Sequence, residues 1–173
     1  MRNDWSIEGE KDPQVVRSDW SDASSAAIDG VVAKQITNVL TDNGCLTEIW
    51  RSDWKLDDRA IDQVFQRVIE PGKASGWHSH ARTTDRLFCA IGRLLVALYD
   101  GRRSSPTFGA VATFRLGAER PAVIVVPPGV WHGVRNIGTS SLVLLNIVDI
   151  AYDYEDPDHY RVPLDTPLIP FSL

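Results

Sequence analysis

The 173-residue chain is poor in sulfur, with two cysteines and one methionine. Cys45 and Cys89 have no metal-type spacing and give little support for a disulfide scaffold. Cys89 sits inside an apolar run and reads as a buried free thiol. Long apolar runs are missing too. Nothing approaches the roughly 18 consecutive apolar residues of a membrane span. The N-terminal "MRNDWSIEGEKD" has no apolar signal core. The expectation is a cytoplasmic protein with no membrane partner. Positive charge is also scarce: 18 Lys and Arg stand against 23 Asp and Glu, a net charge of −5. Without a basic stripe to neutralise phosphates, a general nucleic-acid binder is excluded. A small anionic ligand is not, because it needs only a few placed arginines.

Sustained helical periodicity is absent as well. Residues 1–28 are polar and acidic, with Trp5 and Trp20 as isolated apolar points. They read as an N-terminal arm or lead-in, ahead of a single domain over 29–173. Short β-prone runs follow: "GVVAKQITNVL" and "CLTEIWRSDW" around the turn "TDNG", then "QVFQRVIEPG", "RLFCAIGRLLVALYDGR", "GAVATFRLG", "AVIVVPPG", "HGVRNIG" and "SLVLLNIVDI". Many short strands separated by Gly, Pro, Asn and Ser predict an all-β sandwich or barrel. The proline-punctuated tail "YDYEDPDHYRVPLDTPLIPFSL" is expected to wrap the surface, with at most a helical turn around "DPDHY".

The chemistry concentrates in "GWHSHARTTD", residues 76–85. On a strand His78 and His80 point to one face. His132 follows "VVPPGVW" far downstream. These histidines can converge inside a small barrel, a natural ligand cavity. Trp77 and Trp131 each precede one of them and point the other way, towards packing or a subunit interface. Asp85 has two readings: a metal ligand, or an ion-pair partner of Arg82 or Arg86. His159, among acids in the tail, reads as solvated surface.

These spacings resemble the cupin superfamily. Its first motif runs Gly, five residues, His-x-His, three or four residues, Glu, six residues, Gly. The chain has Gly72, His78-Ser79-His80, Asp85 in place of Glu, and Gly92. Its second motif runs Pro-x-Gly, two residues, His, three residues, Asn, matched by Pro127, Gly129, His132 and Asn136. The resemblance implies a cupin-type small β-barrel or jelly roll. In metal-binding cupins such residues hold one divalent metal (Fe, Mn, Ni or Zn), here His78, His80, Asp85 and His132.

Within that superfamily the chain further resembles the dTDP-4-dehydrorhamnose 3,5-epimerase family. The segments are "LYDGRRSSPTFG", Gly76-Trp77-His78, Pro127 to Gly133, "DNGCLTEIWR" and the aromatic-acid-Pro tail. This implies an isomerase of carbohydrate biosynthesis acting on a nucleotide-linked 4-keto-6-deoxy sugar. The family works as a homodimer and without a cofactor, by proton abstraction beside the carbonyl. Carried over by position, His78 is the base, Asp165 its orienter, and Tyr152 or Tyr154 the opposite-face acid. Arg86, His132, Arg102, Asn136 and Glu48 are substrate contacts; Arg102 and Arg103 read equally as a solvated turn or as groups that meet a diphosphate. Three positions depart from the family: Asn43 stands for a nucleotide-contacting Arg, His80 for Gln, and the tyrosine expected near Leu145 is missing. The change at His80 moves the site towards the metal pattern. Metal-free epimerase, metal cupin and non-catalytic sugar-binding cupin are thus three readings of one pocket, with the first favoured.

Overall fold

The computed structural model describes residues 6–7, 9–12, 14–18 and 27–173. Trp5 and Trp20 of the N-terminal arm or lead-in lie outside the described residues. Twelve strands form in chain order: β1 (Val32–Gln35), β2 (Asn38–Thr41), β3 (Gly44–Thr47), β4 (Gln63–Ile69), β5 (Ala74–Ser79), β6 (Asp85–Ile91), β7 (Arg93–Asp100), β8 (Val111–Gly117), β9 (Ala122–Val126), β10 (Val130–Asn136), β11 (Leu142–Val148) and β12 (Tyr160–Arg161). Helical structure among the described residues is one short 3₁₀ turn, Ser52–Trp54. The all-β expectation holds.

Two five-stranded antiparallel sheets pack as a jelly roll, in the orders β1-β9-β6-β11-β4 and β12-β5-β10-β7-β8. The sheets do not close into a continuous barrel. Strands β2 and β3 form a separate hairpin across Asp42 and Asn43, the turn that "TDNG" announces. The chain between β6 and β7 turns at Gly92, where φ is +89° and an added Cβ would sit 2.7 Å from Leu142 Cβ. Only glycine satisfies both demands.

The space between the sheets is divided. One part is an apolar core of Leu87, Cys89, Leu94, Val96, Leu98, Ile124, Val126 and Leu142, among others. Each such side chain contributes about 2 kcal/mol by leaving water. Cys89 is buried and unpaired, as its surroundings foretold. The other part is the histidine pocket. On the outer face of the first sheet, Trp50, Trp54 and Leu56 cover Phe88, Val123 and Val125. On the outer face of the second, the tail lays Ile169, Phe171 and Leu173 over Trp77, Trp131 and Ala97. Both motif tryptophans therefore serve packing, as strand alternation requires. The tail wraps as expected but forms no helical turn at "DPDHY". It bends there and then adds β12 to the sheet edge, with Tyr160 opposite Ser79 and Arg161 opposite His78.

Candidate functional site

Three strands drawn from both sheets deliver the site. His78 comes from β5 and His132 from its neighbour β10, directly opposite in register. Asp85 opens β6 in the facing sheet, and His80 lies one residue beyond β5. The register of β10 against β5 shifts between His132 and Val134, so Ser75 and His78 both reach the pocket. One ligand-type atom from each of His78, His80, Asp85 and His132 lies within 4.8 Å of the others. Asp85 Oδ2 is 2.7 Å from His132 Nε2 and 3.2 Å from His80 Nε2. Asp85 thus partners the histidines rather than Arg82 or Arg86.

Hydrogen bonds around this cluster decide where its protons sit. His132 Nδ1 lies 3.1 Å from the carbonyl of Val130. His80 Nδ1 meets the carbonyl of Asp158. A carbonyl only accepts, so in each neutral ring Nδ1 carries the proton and Nε2 presents a lone pair. Both Nε2 atoms turn towards the Asp85 carboxylate. Asn146 Nδ2 donates to the other carboxylate oxygen, Oδ1, at 3.0 Å and so aims Oδ2 at the rings. Asp85 Oδ2, His132 Nε2 and His78 Nδ1 remain buried without a hydrogen bond.

Converging lone pairs with no proton between them fit a cation. Ligands about 2.1 Å from one ion stand roughly 3–4 Å apart, close to the spacing found here. Histidines that donate their far N–H to a carbonyl are the usual metal-ligand arrangement. Burial, aided by His132, drives the His78 pKa far down and keeps the ring neutral. Burial also opposes charge on Asp85, but His132 and His80 outweigh it and hold the carboxyl ionised. On His80, burial opposes charge and Asp85 overcomes it, so its pKa rises. One carboxylate and three imidazoles suit iron, nickel, zinc or manganese.

The tail contributes more than the sequence reading allowed. Asp158 accepts hydrogen bonds from the backbone N–H groups of Ala81, Arg82 and Thr83 and from Thr83 Oγ1, at 2.8–3.0 Å. His159, expected on solvated surface, instead stacks on His78 with ring centroids 4.9 Å apart. Its Nε2 is buried without a hydrogen bond. Burial, aided by His80, lowers its pKa to about 4. Tyr152 lines the pocket at half exposure, and its N–H donates to Gln63 Oε1.

Several residues expected in the site stand elsewhere. Arg86 is fully buried on the opposite face of β6, donating to both oxygens of Asp57 at 2.7 Å and to the carbonyl of Arg59. Its guanidinium also lies over the Trp50 ring at 4.7 Å. Strand alternation explains this: with Asp85 facing in, Arg86 must face out. Arg102 ties a turn together by pairing with Asp100, while Ser105 and Thr107 also donate to Asp100. Asn136 is buried and braces a loop through the carbonyls of Ile69 and Ser140 and the N–H of Gly138. Glu48 pairs with Arg51 near the β2–β3 hairpin, in the open. Asp165 is exposed and does not line the pocket, so it does not orient His78, whose Nδ1 has no hydrogen bond among the described residues. Tyr154 lies outside the pocket lining, 5.4 Å from Tyr152 ring to ring.

This architecture has known counterparts. The chain is 40% identical, over 70% of its length and 79% of the relative, to a probable low-salt glycan biosynthesis epimerase of Haloferax volcanii. It is 31% identical, over 84% of its length and 95% of the relative, to a spore coat polysaccharide biosynthesis protein of Bacillus subtilis. A dTDP sugar isomerase of Desulfovibrio desulfuricans superposes with a TM-score of 0.78 at 27% identity, covering 84% of this chain and 91% of that one. The family described as polysaccharide biosynthesis C-terminal domain matches residues 40–160, well over half of the sequence. The chain therefore belongs to this family, and its relatives include a probable glycan-biosynthesis epimerase.

Proposed function

We propose that this chain is an epimerase of carbohydrate biosynthesis that inverts a carbon beside the carbonyl of a nucleotide-linked 4-keto-6-deoxy sugar. The observation that carries this reading is the buried cluster His78, His80, Asp85 and His132 at the floor of a pocket whose tail wall bears His159 and Tyr152. Support comes from the epimerase among its relatives and from the dTDP sugar isomerase of like fold. A proton beside a keto group leaves only if a base is near and the enolate oxygen is stabilised.

The four floor residues would hold one divalent cation, which would supply Lewis-acid polarisation of a sugar carbonyl. Asn146 and the carbonyls of Val130 and Asp158 keep the ligand atoms aimed. His159, neutral at physiological pH because burial lowers its pKa to about 4, accepts a proton at Nε2. Tyr152, at the mouth, returns one from its phenol. The apolar wall of Phe65, Leu144 and Val148 excludes water from the carbanion. In a cofactor-free version His78 is the base, a role its family position and its neutral, unpartnered ring favour. Deuterium uptake at the carbon next to the carbonyl, measured in D₂O with 4-keto sugar nucleotides, tests the function. Uptake that His159→Ala abolishes is expected; no uptake with any such sugar overturns it.

The protein works as a homodimer on this reading. Leu40 and Leu46 on the hairpin and Val64 and Val68 on edge strand β4 are exposed apolar groups suited to a second copy. Sedimentation that gives a single-chain mass at micromolar concentration would contradict this. No described helix is long and apolar enough to cross a membrane. A cytoplasmic location accords with the unpaired thiols of Cys45 and Cys89.

A further inference from the structure

The pocket mouth carries three arginines that the fold does not use. Arg67 is on β4, where Gln63, Phe65 and Arg67 alternate onto the pocket face. Arg161 is on β12, opposite His78, so its side chain shares the face of that ring while Val162 packs outward near Trp77. Arg82 is in the loop that Asp158 ties down. Strands β4 and β12 are edge strands of opposite sheets, so Arg67 and Arg161 approach the mouth from its two sides.

None of these three guanidinium groups has a hydrogen bond or ion pair among the described residues. Four arginines elsewhere are committed: Arg59 to Asp149, Arg86 to Asp57, Arg93 to Glu119, Arg102 to Asp100. Arg103, Arg115 and Arg120 also have no side-chain partner among the described residues, but they lie away from this pocket. The nearby acids do not neutralise the three. Asp85 faces the histidines and Asp158 is spent on backbone N–H groups. Asp153 is the remaining lining acid; it feels Arg82 but takes its own hydrogen bonds from the N–H groups of Glu155 and Asp156. In a chain of net charge −5, a mouth with three guanidinium groups free of protein partners is a local reversal of sign.

We propose that Arg67, Arg82 and Arg161 form the receptor for the diphosphate of the nucleotide-linked substrate. Guanidinium groups present paired N–H donors to phosphate oxygens, and three of them match a group of two to three negative charges. This assigns the anion to residues outside the early hairpin, where Asn43 offers no charge. It also gives the tail a second task, because Arg161 comes from the strand that follows His159. The inference rests on the sugar-nucleotide reading of the pocket.

Calorimetric titration of the full-length protein with UDP and dTDP tests it. Arg67→Gln, Arg82→Gln and Arg161→Gln are each expected to weaken binding about tenfold, the scale of one lost charge-assisted hydrogen bond. The triple variant should lose detectable binding. Arg103→Gln should bind as the parent does. Melting temperatures of all variants should stay at the parent value, since these side chains hold no protein partner. Binding by the triple variant within about twofold of the parent overturns the assignment, as does a parent that binds neither nucleotide. The two readings fail separately. Deuterium uptake by the parent with unchanged binding in the variants removes the receptor and keeps the epimerase. Lost binding in the variants without uptake by the parent does the reverse.

Discussion

Asp158 and His80 are joined twice over. The Asp158 carbonyl meets His80 Nδ1, while its carboxylate holds the backbone that runs from His80 towards Thr83. A tail residue therefore fixes both the tautomer and the position of a floor histidine. Asp158→Ala frees the loop and lets the tail lift. Affinity for a divalent cation should fall about tenfold or more, measured by competition with a chromophoric chelator. The same substitution should raise hydrogen exchange over residues 80–83.

Asn146 acts through Asp85. Its donation to Oδ1 leaves Oδ2 turned to the rings. Asn146→Ala removes that aim and leaves a buried oxygen without its donor. Metal affinity should drop about 10- to 100-fold. Asn146→Asp should do worse, because it sets a second carboxylate beside Asp85.

Arg86 should matter for folding rather than turnover. It is fully buried, pairs with Asp57 and lies on the face away from the pocket. Arg86→Ala leaves Asp57 without its partner and should cost about 3 kcal/mol, read by denaturant unfolding. The fraction that folds should keep kcat near the parent value. A large loss of kcat with unchanged stability would return Arg86 to the catalytic set.

Asp100 supplies the acid sensitivity of the "DGRRSSPTFG" turn. Burial opposes its charge, but hydrogen bonds from Arg102, Ser105 and Thr107 hold its pKa far below the ordinary value. A carboxyl depressed in the folded state stabilises fully above its unfolded pKa of about 3.9. That stabilisation disappears as pH falls below it towards the folded pKa. Asp100→Asn should therefore lower stability at pH 7 and flatten its decline between about pH 4 and 2, as followed by thermal melts.

Much of this was legible in the sequence, for physical reasons that differ by region. The period-2 apolar runs and Gly or Pro breaks give the strands, because a sheet with one buried face imposes alternation. His78, His80 and His132 were legible because spacing on neighbouring strands fixes their common face. Arg86 was misplaced although the rule that excludes it was present: Asp85 and Arg86 are adjacent on a strand and cannot share a pocket. Asn136, Arg102 and Glu48 stand in matching segments, yet bonds to nearby backbone and acids employ them structurally. Such bonds cannot be read from position alone. His159 and Asp158 escaped because their roles depend on a two-residue strand, β12, folding back on β5. A surface-like run such as "EDPDHYR" carries no periodic signal for that. Apolar Val162 beyond Arg161 is the local sign of a covered face there.

Elemental analysis of the purified protein, beside Asp85→Asn and His132→Ala, tests the central claim most directly. One equivalent of a divalent transition metal per chain, lost in both variants, is the predicted result. Protein that carries no such metal, yet exchanges deuterium into a 4-keto sugar nucleotide at a rate unchanged by chelator or added metal, would contradict it.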